Sequence, residues 1–415
     1  MSMQSNNERR IAIIGGGAAG LMAAGTALRC GANVTIFEKN KILGKKLLIT
    51  GKGRCNLTNN CNASEFITNV TKNPRFMYAS LSEFDSFSTM ALFEELGVPL
   101  KTERGNRVFP VSDRSADIVN ALKRYIKGAE IINEKVCGLI FEDGRVIGVR
   151  TNKSYFFDAV ILATGGASYP QTGSDGFGYR LARDAGHTVT DITPSLVPLE
   201  IKGNLCARMQ GLSLKNVGLS IVNTENNKVI YTDFGEMLFT HFGVSGPMIL
   251  SASAHIRGLD FNKLRLIIDM KPALDEKQLD ARLLSDFEKY SNKDFVNSLS
   301  DLLPSKMIEV FAELCGIPFN KKVNSITKAE RQKILSLLKG LSFDIKGFRP
   351  ISEAIITSGG VDVKEISPKT MMSKIKDGLY FAGEILDVDA YTGGFNLQIA
   401  FSTAYLAGKN SAEQH

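Results

Sequence analysis

Glycines at positions 15, 17 and 20 stand between an apolar run, Arg10-Ile11-Ala12-Ile13-Ile14, and a stretch of small residues from Ala18 to Cys30; Glu38 closes the next apolar run, Asn33 to Phe37. The spacing is G-x-G-x-x-G between a strand and a helix, with an acid at the end of the second strand. Each glycine serves a separate physical need. Gly15 permits a tight turn, Gly17 lets backbone approach a pyrophosphate, and Gly20 lets helix and strand pack closely. The helix N-terminus at Ala18 and Ala19 offers free N–H groups to an anion, and Glu38 can accept from a ribose hydroxyl. The chemistry implied is dinucleotide binding.

Two further stretches extend that chemistry. Asp158 to Gly166 runs as a hydrophobic strand into the small-residue turn Ala163-Thr164-Gly165-Gly166, and Gly378 to Gly383 forms another short strand. After it come Glu384, Asp387 and Thr392-Gly393-Gly394-Phe395-Asn396-Leu397-Gln398. An acid past a strand can hold a ribityl chain, and a following helix N-terminus can stabilise negative charge on a reduced flavin. Three such elements in this order specify FAD. Gly173, Gly176 and Gly178 imitate part of a second nicotinamide motif, but no acid ends a strand at the required distance, so NADH or NADPH is expected to bind only transiently.

The elements that must position these residues change character along the chain. Glu130 to Val136, Gly138 to Phe141, Val146 to Arg150 and Phe156 to Leu162 read as strands. From Leu196 to Met270 short alternating segments (196–201, 212–214, 218–222, 228–232, 264–269) suggest a small barrel or sandwich. Helical periodicity follows from Leu274 to Leu338, broken at Pro304 and Pro318. Strand character returns at Leu341, and a last helix is expected from about Asn396 to Leu406.

Gly51 to Asn59 (GKGRCNLTN), Ala163 to Pro170, Phe239 to Pro247 (FTHFGVSGP) and Phe381 to Gln398 together resemble the BaiN-like flavoproteins, also known as aminoacetone-oxidase-family FAD-binding enzymes, over nearly the whole chain. The resemblance implies an α/β fold in which a discontinuous Rossmann-type two-dinucleotide FAD-binding domain carries an inserted β-barrel and a small helical subdomain. The expected boundaries are 1–195 and 346–415 for the FAD-binding domain, 196–272 for the barrel and 273–345 for the helices. It also implies reduction of activated carbon–carbon double bonds, in a small enone such as a bile-acid intermediate or in a uridine of 23S ribosomal RNA. The expected cofactor contacts are Gly15, Gly17, Ala18, Ala19, Gly20, Glu38, Lys39, Lys46, Gly53, Arg54, Cys55, Asn56 and Val136. Ala163, Thr164, Gly165, Gly166, Gly383, Glu384, Asp387, Asn396, Leu397 and Gln398 complete them. FAD is expected to be noncovalent. Such a reduction needs carbonyl donors and a proton donor, for which His241, Thr240, Ser245 and Tyr391 are the candidates; Tyr169 is no better placed.

Composition narrows the classes. The chain has 415 residues, 44% of them hydrophobic, and 50 basic residues against 43 acidic. No apolar run approaches the roughly 20 residues that span a bilayer, and Met1 to Arg10 is polar, so a cytoplasmic location without membrane contact is expected. The six cysteines show no metal-type pairing with the four histidines, and no metal site is expected. Cys55 and Cys61 raise the alternative of a flavin-disulfide reductase, although their separation differs from that of such couples. Positive charge concentrates in Lys39 to Arg54 and in Ile317 to Arg349. The second cluster raises an RNA partner, and with it the alternative of an RNA- or ribosome-associated protein holding a structural FAD. Oligomeric state is not legible.

Overall fold

The computed structural model describes residues 8–413. Two compact units emerge: residues up to Ser195 together with those from Pro350 onward form one, and Leu196–Arg349 form the other. The first unit supplies, in chain order, β1 (Arg10–Ile14), α1 (Ala18–Arg29), β2 (Asn33–Phe37), β3 (Thr58–Asn59), β4 (Leu100–Glu103), β5 (Arg107–Pro110), β6 (Glu130–Ile132), β7 (Ala159–Leu162), β8 (Leu379–Phe381) and α2 (Phe395–Ala412).

Its central sheet is parallel, in the order β8-β7-β1-β2-β6. β1 and β7 are continuous apolar runs because both faces of such a sheet are covered. Ile14 pairs with Leu162 and Phe37, Leu162 with Phe381, and Phe37 with Ile132, so all five strands end level. Gly15, Glu38, Asn133, Ala163 and Ala382 therefore leave from one carboxyl edge, the place where open α/β sheets bind ligands. β6 stops at Ile132, short of the expected Val136, and the Asn133 side chain turns to donate to the Glu38 and Asn40 carbonyls at 3.3 and 3.0 Å.

α1 and α2 are built of small residues and pack side by side. Ala19 and Ala400 both border Gly383, whereas Ala23 and Thr26 border Gly408, so the two helices run parallel. A Cβ on Gly408 would fall well inside contact distance of the Ala23 carbonyl. α2 continues to Ala412, past the expected end at Leu406.

The second unit contains a closed six-strand barrel in the order 199–201, 243–245, 229–239, 213–223, 264–269, 341–348. The segments expected at 212–214 and 218–222 form one strand: the polar Lys215-Asn216 pair that interrupts the alternation is absorbed where the register shifts, with Asn216 at φ 55°. Leu341–Phe348, whose side chains alternate buried and exposed, closes the barrel, so an expected helical boundary at 345 would cut through this strand. The helices between the last two strands include Glu276–Lys289, Ser305–Cys315 and Lys328–Lys339. No helix among the described residues is long and apolar enough to cross a membrane.

One buried array imitates a catalytic triad. Ser373 Oγ accepts from the backbone N–H of Ile375 and Lys376 at 3.0 and 2.8 Å, so its own proton points to His187 Nε2 at 2.8 Å. His187 Nδ1 then donates to Glu365 at 3.1 Å. With both hydroxyl lone pairs engaged, the array serves as a clamp between segments. Burial pulls the His187 pKa below its ordinary value, so folding favours neutral imidazole. The associated stability is fully present above about pH 6.5 and is lost as pH falls from there through the lower native pKa. Thermal unfolding followed from pH 8 to 5 should show this loss, and His187→Gln should be less stable at pH 8 while losing less on acidification.

Gly408→Ala should destabilise the first unit by about 1–3 kcal/mol through overpacking against α1, measured by urea unfolding. A change below about 0.5 kcal/mol would mean that the helices are not in backbone contact.

Candidate functional site at the carboxyl edge

The loop after β1 is shaped by its missing side chains. Gly15 sits at φ 108°, and a Cβ there would meet the Ala163 carbonyl oxygen at 2.5 Å; a Cβ on Gly20 would collide with the Gly15 carbonyl. Gly17, in contrast, has nothing within 4 Å of where its Cβ would be. It caps α1 in an extended conformation without a side-chain cap, and no acid occupies the first helical turn. The helix dipole and the first N–H groups at Ala18 and Ala19 thus face open space.

Glu38 is buried and anchors this loop. One carboxylate oxygen accepts from Gly16 N at 2.8 Å, and the other accepts from Asn40 N and Nδ2 at 2.7 and 2.8 Å. Lys39 pairs with Asp175 at 2.7 Å. Val136 is buried in the loop that follows β6 at the same edge. Beyond β7, Thr164 Oγ1 and Ser174 Oγ are buried without hydrogen-bond partners among the described residues, and Gly165 adopts φ 73°.

Lys46 crosses this edge. Its ammonium donates to Ser168 Oγ and Glu384 Oε2, each at 2.7 Å. The other Glu384 oxygen accepts from Ser168 Oγ and Thr357 N, each at 3.0 Å, and Thr357 Oγ1 accepts from Ala167 N at 2.8 Å. Four segments distant in sequence are tied by this network, and a Cβ on Gly166 would strike the Thr357 hydroxyl. Lys46 and Glu384 are expected at the site from sequence. Ser168 has no signal beyond its place in the Ala163 to Pro170 motif, and Thr357 none beyond preceding Ser358-Gly359-Gly360.

α2 presents a second uncapped N-terminus, with Gly394 at φ 99° and Gly393 at φ 123°. A Cβ on Gly394 would enter the Thr58 carbonyl, so β3 lies against this helix end. With its amide oriented to donate to Thr58 O, Asn56 accepts from Gly394 N at 3.0 Å. Asn396 is committed to Ala390 and to the Tyr391 carbonyl, and Gln398 to Thr58, Phe84 and Ser402. Their side chains hold the helix in place, which leaves the backbone N–H groups around Asn396 and Leu397 as the available donors. Gly383, at φ 79°, lies against Ala19, and Asp387 forms an ion pair with Lys72 at 2.8 Å, outside hydrogen-bonding geometry. Asp389, completely buried, accepts from Ser195, Thr71 and Ser358 hydroxyls.

The loop around Cys55 is held by contacts of its own. Gly51, Lys52, Gly53 and Cys55 all have positive φ, but the Arg54 guanidinium is engaged by Glu103 and Asp113 and lies 4.1 Å from the Phe109 ring centre. Cys55 and Cys61 are unbonded buried thiols, pushed by burial up to about 12 and about 11 respectively. Burial disfavours the thiolate in both, and they form no disulfide with each other, which counts against a dithiol redox couple.

Tyr391 belongs to the first unit, its N–H donating to the Asn69 carbonyl at 3.0 Å. Thr240, His241 and Ser245 belong to the second. There the Thr240 hydroxyl accepts from Gly243 N at 3.2 Å, His241 is exposed beside Phe242, and Ser245 pairs with Leu238 in the barrel. The basic segment from Ile317 to Arg349 is largely paired within the structure. Lys321, Lys322, Arg331, Lys339, Lys346 and Arg349 pair with Glu330, Asp294, Asp280, Asp269 and Glu200, leaving Lys328 and Lys333. Most of this charge is compensated by the chain's own acids.

A level carboxyl edge, a glycine cradle open at Gly17 and two parallel glycine-capped helices fit a dinucleotide, and the fold is a Rossmann-type FAD-binding domain, the class of flavoprotein oxidoreductases. The HI0933-like protein Rossmann domain matches residues 9–410, and the chain belongs to that family. The chain is 33% identical to the 3-dehydro-bile acid delta(4,6)-reductase of Clostridium scindens, over 98% of this chain and 99% of that one. It is 28% identical to the ribosomal RNA dihydrouridine synthase of Escherichia coli, over 96% of each. Among solved structures, the 3-ketosteroid-delta4-(5alpha)-dehydrogenase from Rhodococcus jostii shares the fold with a TM-score of 0.52 and 16% identity, over 100% of this chain and 99% of that one.

Gly17→Ala should leave the stability of the FAD-free protein within about 0.5 kcal/mol yet weaken FAD binding. Glu38→Ala should cost about 1–3 kcal/mol of FAD affinity, because a ribose hydroxyl would lose its buried acceptor. Equilibrium titration of the FAD-free variants checks both, and unchanged affinity in both would remove this loop from the cofactor site.

Native thiol titration near pH 8 should modify exposed Cys30 and Cys137 first, with Cys55 and Cys61 reacting only on unfolding. The pattern should not change after incubation with NADPH. Two additional thiols appearing on reduction would restore the dithiol reading.

Proposed function

We propose that the protein is an FAD-dependent reductase of an activated carbon–carbon double bond, taking electrons from NADH or NADPH. Its substrate has the double bond conjugated to a carbonyl, as in a small enone or in the uracil base of a 23S ribosomal RNA uridine. The observation that carries this reading is the pair of parallel helices α1 and α2, both glycine-capped and without an acid in the first turn. One suits a pyrophosphate and the other the negative charge of a reduced flavin ring. The relatives named for bile-acid reduction and for dihydrouridine formation support it, since both names describe hydrogen added across a double bond.

Bound FAD supplies hydride for the β-carbon of the conjugated system. The residues of the chain do the rest. Gly17, Ala18 and Ala19 receive the pyrophosphate through backbone N–H groups, Glu38 accepts from the ribose, and Asp387 orients the ribityl chain. Lys46 and Glu384, partly shielded at 24% and 15% side-chain exposure, hold the edge loops at fixed spacing. Tyr391, His241, Thr240 and Ser245 are the groups we assign to polarising the carbonyl and protonating the α-carbon.

Anaerobic mixing of the FAD-loaded protein with NADH or NADPH should bleach the flavin rapidly, and reoxidation by a conjugated enone or a uridine-containing RNA should yield the saturated product. Deletion of the gene in its host, followed by dihydrouridine mapping of 23S ribosomal RNA, separates the two substrates. A flavin that nicotinamides do not reduce would favour a structural cofactor and overturn the reductase reading.

A further inference from the structure

The segment Asn69 to Asn73 lies outside every motif of the sequence, yet it grips the loop that leads from Glu384 into α2. Val70–Lys72 pairs antiparallel with Asp389–Ala390, with Val70 opposite Ala390 and Lys72 opposite Asp389. Hydrogen bonds extend the grip. Tyr391 N donates to the Asn69 carbonyl at 3.0 Å, Thr71 Oγ1 to the Asp389 carbonyl at 3.0 Å, and Asn73 Nδ2 to the Asp387 carbonyl at 2.6 Å. Asn73 reaches that carbonyl from a left-handed conformation, φ 52°. Gly360 packs closely on the backbone of Asp387, where a Cβ would stand 2.8 Å from Asp387 N, and the same N–H donates to the Val361 carbonyl at 3.1 Å. The main chain of Asp387 is thus fixed by two separate segments.

Its carboxylate is less completely satisfied. The Asp387 side chain is 4% exposed, and Oδ1 accepts no hydrogen bond in regular geometry among the described residues. Lys72 Nζ lies 2.8 Å from that oxygen. A buried carboxylate is costly unless it is both paired and hydrogen-bonded. Here the charge is paired while the hydrogen bond is missing, which leaves an acceptor for a hydroxyl that a ligand brings.

We propose that Lys72 is a positioning residue of the FAD site that acts through Asp387: it fixes the carboxylate for a ribityl hydroxyl and keeps the pair electrically neutral beside the flavin. The inference rests on the reading of Asp387 as the ribityl acceptor. Loss of Lys72 leaves a net negative charge, which opposes the anion of a reduced flavin and lowers the reduction potential. Loss of the Asp387 charge leaves a net positive charge and raises it. Buried charges are screened less than exposed ones, so both shifts persist at ordinary ionic strength. A contact that only held the segment in place would give no such reversal of sign.

The test combines FAD titration of the stripped proteins with dye-equilibrated reductive titration of the FAD-loaded ones. Lys72→Met should bind FAD about tenfold more weakly. Its potential should be about 30 mV lower, a tenfold change in the two-electron equilibrium. Asp387→Asn should also bind FAD more weakly, but with a raised potential. The double variant should bind no more weakly than Asp387→Asn alone, because the two residues act as one unit, and its potential should return toward that of the unaltered protein. Lys72→Arg should restore both properties. Lys409→Met, which removes a surface cation paired with Glu83, should change neither. Far-ultraviolet dichroism checks folding, and Lys72→Gln takes the place of Lys72→Met with the same expected result if the methionine variant does not fold. Unchanged affinity and potential in Lys72→Met, with Asp387→Asn affected, would overturn this proposal alone. Unchanged values in Asp387→Asn would remove Asp387 from the site as well. Potentials displaced in the same direction by both single variants would also overturn it. No nicotinamide or substrate enters either measurement, so failure of the reductase reading shows separately, as a flavin that nicotinamides do not reduce.

Discussion

Among the close backbone approaches in the first unit, two seat its long helices, Gly20 against the Gly15 carbonyl and Gly408 against the Ala23 carbonyl, and a side chain larger than hydrogen at either would force the backbones apart. The first contact seats α1 on the edge of β1; the second seats α2 along α1. Two helix N-termini are thereby fixed over one carboxyl edge. Partial positive charge of this kind decays within about a turn of the helix end, so its usefulness to a ligand is decided by that packing.

The edge is then stiffened by polar groups that are mostly satisfied internally. Glu38 gathers three N–H donors from its own loop and the glycine turn. Lys46, Ser168, Glu384 and Thr357 tie four segments together, and Asp389 draws together the Thr71, Ser195 and Ser358 hydroxyls. Partly buried charges are costly unless paired and hydrogen-bonded, and pairing Lys46 with Glu384 meets that requirement while holding the loops apart. Thr164 and Ser174 remain as buried hydroxyls with free capacity beside this network.

Charge density along the chain and charge available to a partner are different quantities here. Ile317 to Arg349 is the more basic segment to the eye, yet acids from the barrel and neighbouring helices answer most of it. The hairpin at Arg104 to Arg107 contributes only two arginines, and Arg107 stays uncompensated because its strand partners are Asn59 and Glu103, the latter already engaged by Arg54 and Lys101. Apart from Lys321 with Glu330, these ion pairs join residues far apart in sequence, so a window of sequence does not report them.

Local sequence carried the nucleotide fold. A buried strand, a glycine turn, a small-residue helix and an acid at the next strand end are short-range signals, and β1, α1, β2 and Glu38 were legible from them; so were β7, β8 and the start of α2. The motif at Phe239 to Pro247 and the return of strand character at Leu341 were visible too, but that Leu341–Phe348 closes a barrel with Leu199–Ile201 required knowing which strands pair. Tertiary structure alone decided which polar residues remain available. Gln398 and Asn396 hold α2 in place, Arg54 is bound to acids, Cys55 is sealed from solvent, and Ser168 and Thr357 join Lys46 and Glu384. Residue type sets what a side chain can do, but its partners come from strand order and helix packing, which are properties of the whole unit.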